Sequence, residues 1–156
     1  MHQLRRRQIT RQARRVLSLL VVSSLALLMN SPSAFAGDAY GSGSTYSACG
    51  YSYYAENGIH THTGYSTWAD IFISVNGGAY PPAGCYGGQP YMYFSDGALC
   101  RIGGWVYNGN SQNYIDPSVS PGCGSGQVYY SQGLAAGWNG SGYVEYSTYS
   151  SPDQNS

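Results

Sequence analysis

The sequence predicts an all-β domain, a small antiparallel sandwich or barrel, carrying two disulfides and following a cleaved signal peptide. Three observations point there. Thr67–Gly78 alternates Ala69, Ile71, Ile73 and Val75 with Trp68, Asp70, Phe72 and Ser74, the period of two of a β-strand. Short runs rich in Tyr, Val, Ile and Thr recur along the chain, separated about every ten residues by Gly, Pro and Asn turn signals, the spacing of sandwiches and small barrels. Cys49, Cys85, Cys100 and Cys123 all lie beyond an export-type leader, and an even cysteine count in that context reads as disulfides.

The leader is residues 1–36. Arg5, Arg6, Arg7, Arg11, Arg14 and Arg15 make a basic head, Val16–Met29 an apolar middle, and Ala34-Phe35-Ala36 an A-x-A exit before Gly37. That is the layout of a secretory signal peptide. The apolar run is too short for a membrane span, which needs about 20 residues. Cleavage changes the electrostatics. Six of the seven basic residues leave with the leader, so Arg101 alone faces Asp38, Glu56, Asp70, Asp96, Asp116, Glu145 and Asp153, a net charge of −6 with histidines neutral. Nucleic-acid binding needs Lys and Arg on phosphates, so that class is excluded. Attachment to anionic lipid is disfavoured for the same reason.

The exported part divides into a flexible Gly/Ser lead-in over residues 37–45, a β domain over 46–149 and a disordered polar tail over 150–156. Tyr46–Ala55 reads as a first strand, Glu56-Asn57-Gly58 as a turn, and Ile59–Thr63 as a second strand. Asn76-Gly77 supplies the positive-φ turn that closes a hairpin after the central strand. Ala79–Gly88, with Pro81-Pro82, is a loop. Tyr91–Phe94 and Ala98–Ile102 form a hairpin across Ser95-Asp96-Gly97. Trp105-Val106-Tyr107 enters a further hairpin at Asn108-Gly109-Asn110, and Ser111–Ile115 returns. Asp116–Gly126 is irregular, Val128–Ser131 a strand, Leu134–Trp138 a short helical turn and Tyr143–Tyr149 the last strand. A hairpin across Asp96-Gly97 places Cys100 opposite Tyr93 and away from Cys85, which favours Cys49–Cys85 with Cys100–Cys123.

Large aliphatic residues are few beyond the leader, while all 17 Tyr and 22 Gly are there. The core is therefore expected to be largely Tyr, Trp and Phe, each buried phenol needing a hydroxyl partner. Seventeen tyrosines exceed what such a core can hide. The excess, set among Gly, Ser and Asn, resembles the palette of binding loops. Trp68, Trp105, Trp138, Tyr107 and Tyr143 are the candidate ligand-binding rings.

Chemistry-bearing constellations are sparse. His60-Thr61-His62 puts two imidazoles on one strand face, a candidate metal pair with Glu56 or Asp70 as third ligand. Asp70 and Glu145 are the acids inside strong strand patterns, and a glycosidase needs two carboxylates across a cleft. No G-x-S-x-G elbow and no phosphate-cradling glycine loop is present, and oxidised cysteines offer no thiolate. The expectation is a secreted, non-enzymatic protein without cofactor, contacting extracellular polysaccharide or protein through Tyr and Trp patches. The alternative is a hydrolase inhibitor or bacteriocin-like toxin inserting Ala79–Gly88 or Asp116–Gly126 into a target. Exposed strand edges also permit self-association.

Overall fold

The computed structural model describes residues 36–156. The leader, Ala36 apart, lies outside the described residues. In chain order the strands are β1 (Gly37–Tyr40), β2 (Ser44–Ala48), β3 (Tyr51–Thr61), β4 (Trp68–Val75), β5 (Tyr86–Phe94), β6 (Leu99–Ile102), β7 (Val106–Tyr107), β8 (Tyr114–Ile115), β9 (Ser118–Val119), β10 (Val128–Trp138), β11 (Tyr143–Ser147) and β12 (Gln154–Asn155). They make two antiparallel six-stranded sheets. The first runs β1-β3-β4-β8, with β2 also on β3 and β9 also on β4. The second runs β11-β10-β5-β6, with β12 also on β10 and β7 also on β5. The all-β class and both disulfides, Cys49–Cys85 and Cys100–Cys123, are as the sequence predicts.

Alternation builds the interior. On β4 Ala69, Ile71, Ile73 and Val75 are buried while Trp68, Asp70, Phe72 and Ser74 face outward. On the facing sheet β5 and β10 send Tyr86, Met92, Tyr129 and Ala135 inward. One cluster joins Tyr46, Tyr53, Ile71, Ile73, Tyr86 and Ile115; a second joins Ile59, Ala69, Met92 and Tyr129. The core is thus as Tyr-rich as the composition requires. Asn57 also faces inward, and its amide donates to the Ser131 carbonyl of the other sheet at 2.8 Å. A polar tie of this kind satisfies groups that burial would otherwise penalise.

Several local expectations are corrected. Residues 37–45, read as a flexible lead-in, contain β1 and the start of β2, both paired with β3. The 150–156 tail contains β12, paired with Val128 and Tyr129. Glu56-Asn57-Gly58 is no turn; it lies inside the long β3, because register with β4 carries straight through it. The turn comes earlier, at Cys49-Gly50, both with positive φ. Asn76–Gly78 does turn, with positive φ at Gly77 and Gly78, but the chain then crosses to the other sheet instead of pairing back. Asn108 is a buried staple, not a hairpin residue: its side chain accepts from the Tyr86 N–H at 3.1 Å and donates to the Pro82 carbonyl at 2.7 Å. Leu134–Trp138 is strand, because its partners Tyr86–Gln89 and Tyr143–Ser147 flank it on both sides. The Asp96-Gly97 hairpin forms, but a bulge at Met92/Tyr93 sets Leu99, not Cys100, opposite Tyr93.

Candidate functional site

Two outer faces remain, and they differ in chemistry. On the second sheet the outward positions of β5, β10 and β11 are set by register: Trp138 pairs Tyr143, Ala136 pairs Glu145 and Gly87, and Gly87 pairs Tyr107 on β7. Four of the five rings singled out in the sequence meet there. Trp105 stacks on Tyr107 with centroids 5.8 Å apart, Tyr107 leans on Tyr143 at 4.5 Å, and Tyr143 meets Trp138 edge-on at 5.3 Å. Tyr107, Trp138 and Tyr143 are 38%, 37% and 41% exposed.

The trough under this row is made by small residues. A side chain at Gly87 would come within 2.4 Å of the Tyr107 ring, so only glycine lets that ring lie on the strand. The Tyr143 hydroxyl donates to the Gly84 carbonyl at 2.8 Å, which fixes the ring. Rings ordered in this way have little rotamer freedom left to lose on binding.

Three further tyrosines extend the same face, and the sequence reading missed them. Tyr91 and Tyr93 stack at 6.2 Å, and Tyr93 stacks on Tyr130 at 5.2 Å. Tyr91 donates to Gln89, whose amide donates to the Gly103 carbonyl. The signal was the Tyr-Met-Tyr alternation of residues 91–93, readable as one outward face once Met92 is taken as core. Trp68 does not join this array. It lies on the first sheet.

The first sheet's outer face is acidic. His60 pairs Trp68 across β3–β4 and Asp38 across β1–β3. Its ring stacks on Trp68 at 4.6 Å and 9°. Nδ1 lies 2.8 Å from Asp38 Oδ1, and Nε2 lies 2.7 Å from Asp70 Oδ2. His62 Nε2 reaches the same Asp38 oxygen at 2.8 Å. The two histidines are therefore both tied to carboxylates. Both nitrogens of His60 are engaged by carboxylates, and among the described residues no group of three His, Cys, Asp or Glu is arranged to hold a metal ion. Asp70 was a named partner candidate; Asp38 was missed because it fell in the supposed lead-in. Glu145, the other candidate acid, lies on the opposite sheet, so the two do not face each other across a cleft.

A histidine clamped at both nitrogens carries a pH signature. Burial pulls the His60 pKa down, but hydrogen bonds to Asp70 and Asp38 and their charges outweigh it, and the net shift is upward. Asp38 moves down, led by its hydrogen bond with His60. The His60 contribution is therefore complete below its unfolded value near 6.5 and is lost as pH rises through the raised folded value. The Asp38 contribution is present above 3.8 and is lost as pH falls through its lowered folded value. Urea midpoints of the wild type and His60→Gln should accordingly differ more at about pH 5.5 than at about pH 9. A gap independent of pH would show that the clamp does not stabilise the fold.

The two loops considered for insertion into a target are tied down. Pro81 and Cys85 are buried, and the Pro117 carbonyl and Gly122 N–H bond to Ile71 and Thr67 of the first sheet. No helix among the described residues is long and apolar enough to cross a membrane. No protein-family model, curated protein or solved structure matches this chain.

Proposed function

We propose that the chain is a secreted, non-enzymatic binding protein that holds neutral extracellular polysaccharide on the outer face of its second sheet. The observation that carries the reading is the continuous row Trp105–Tyr107–Tyr143–Trp138, left outside the core by strand register and ordered before any ligand arrives. Its surroundings are neutral amides and phenols, with Gln89, Gln132 and Tyr91 beside the single acid Glu145. Rings offer apolar faces and edges to sugar C–H groups, and amides and hydroxyls serve sugar hydroxyls. Export is supported by the leader sequence and by two disulfides, which persist in oxidising compartments.

The test is affinity electrophoresis and pull-down on insoluble neutral polymers. Trp138→Ala with Tyr143→Ala should weaken retention at least about tenfold, the scale of losing about 1.4 kcal/mol at a binding hot spot. Unchanged retention of that variant, or no retention of the wild type on any polymer, overturns the proposal. Intact mass of protein from culture medium should start at Gly37.

A further inference from the structure

The first sheet's outer face holds a cleft that the polysaccharide reading does not use. It measures about 470 Å³, within the range of small-ligand sites. Tyr40, Trp68 and Phe72 supply its rings, and Glu56, Asp70 and Asp116 its carboxylates. Strand register explains the shape. Tyr40 on β1, Gly58 on β3 and Asp70 on β4 form one row, with Glu56 and Phe72 paired in the next. Gly58 sits in the middle with no side chain. A Cβ there would meet Asp70 Oδ1 at 2.7 Å, His60 Nε2 at 2.8 Å and Tyr40 Cε1 at 3.1 Å. Only glycine lets these three side chains lie against the β3 backbone, where they line the cleft; Asp70 Oδ2 is held by His60.

The charges in this cleft are not balanced from within the chain. Glu56, Asp70 and Asp116 contribute three negative charges; His60, when protonated, returns one, and it is already engaged by Asp70 and by Asp38, which it shares with His62. Among the described residues Glu56 receives only the Tyr54 hydroxyl, at 2.6 Å. Asp116 forms no ion pair among the described residues. Arg101, the one Lys or Arg after the leader, is on β6 of the other sheet. Burial and the neighbouring Asp70 charge push the Asp116 carboxyl up against the opposing pull of His60. Carboxylates beside aromatic rings recognise an ammonium group, through charge and through the ring quadrupole.

We propose that this cleft binds a protonated amine carried on a sugar-sized ring, an unacetylated hexosamine unit, with the ammonium at Asp70 and Asp116 and the ring against Trp68 and Tyr40. The volume argues for the ring. A lone ammonium needs little more than the roughly 30 Å³ share of a water molecule, and the cleft is more than ten times larger. The site is separate from the second-sheet array, so either can fail without the other.

Calorimetric titration with a glucosamine tetramer tests it, alongside the N-acetylated tetramer and putrescine, at about pH 5.5 and low salt. The glucosamine tetramer should bind, and both other probes should bind at least about tenfold more weakly, a difference of about 1.4 kcal/mol. Asp116→Asn, which breaks no ion pair among the described residues, should cost a similar factor while leaving the fold intact. Gly58→Ala should weaken binding by displacing Asp70, His60 and Tyr40, which line the cleft. Trp138→Ala with Tyr143→Ala should leave it unchanged. No binding of the glucosamine tetramer, equal binding of its acetylated form or of putrescine, or an Asp116→Asn affinity equal to wild type overturns the assignment.

Discussion

Replacing Cys49 and Cys85 together by alanine is expected to lower the unfolding free energy by about 4 kcal/mol, and replacing Cys100 with Cys123 by about 3 kcal/mol. The magnitudes follow from the loops closed, with sequence separations of 36 and 23 residues. Losing both approaches the 5–15 kcal/mol that whole domains possess, so the four-alanine chain should be largely unfolded at 37 °C. The first pair carries a second consequence. Cys49 lies in the β2–β3 turn of one sheet and Cys85 just before β5 of the other. Trp138 bonds to both through its backbone, accepting from the Cys49 N–H at 3.2 Å and donating to the Cys85 carbonyl at 2.9 Å. The cross-link therefore holds the strand end that presents the ring array. Cys49→Ala/Cys85→Ala should weaken polymer retention as well as shift the denaturation midpoint, whereas the other pair should affect the midpoint alone. A midpoint shift for the first pair equivalent to less than about 1 kcal/mol would contradict the loop-closure account.

How much of this was legible in the sequence depended on the range of the forces involved. Alternation and turn chemistry are local, so β4, the β5–β6 hairpin and the Tyr-rich core could be read directly. Disulfide pairing could be read as well, although the bulge at Met92/Tyr93 shifted the register used to argue it. What failed was pairing across distance. Gly37–Tyr40 looks like linker because it runs into the Gly/Ser-rich residues 41–45; it is a strand because Asp38 meets His60 and His62 on β3. Glu56-Asn57-Gly58 has a turn's composition, yet Asn57 is used inward as an inter-sheet tie and Gly58 outward as the place where Asp70, His60 and Tyr40 lie against the backbone. Residue-type statistics carry neither use, because both are set by a partner strand far along the chain. The ring array was half legible. Trp105 and Trp138 stand beside glycines in the sequence, but Gly87, the glycine that admits the Tyr107 ring, is on another strand, and the convergence of the four rings required the β10–β5–β7 register.

The second large effect belongs to the aromatic core. Tyr86 is fully buried, 4.8 Å from the Tyr53 ring, and its hydroxyl donates to the Gln112 carbonyl at 3.0 Å. Burial pushes its phenol up to about 12. Tyr86→Ala is expected to cost about 3–5 kcal/mol, the range for emptying a large aromatic site. Tyr86→Phe should cost only about 1 kcal/mol, the net worth of one hydrogen bond. Tyr53 makes the opposite case. It is equally buried and its phenol is likewise pushed up to about 12, but its hydroxyl has no protein hydrogen-bond partner among the described residues. A buried hydroxyl without a partner lowers stability relative to a ring without one. Tyr53→Phe should therefore leave stability unchanged or raise it by about 1 kcal/mol, while keeping the contacts to Tyr46 and Tyr86. Denaturant midpoints of the three variants decide the matter. If Tyr53→Phe loses as much as Tyr86→Phe, the two phenols are equally satisfied and the distinction between them fails. If it gains, the composition explains why: a chain with two leucines in residues 36–156 fills its interior with tyrosine for the ring and tolerates the hydroxyl where no partner is in reach.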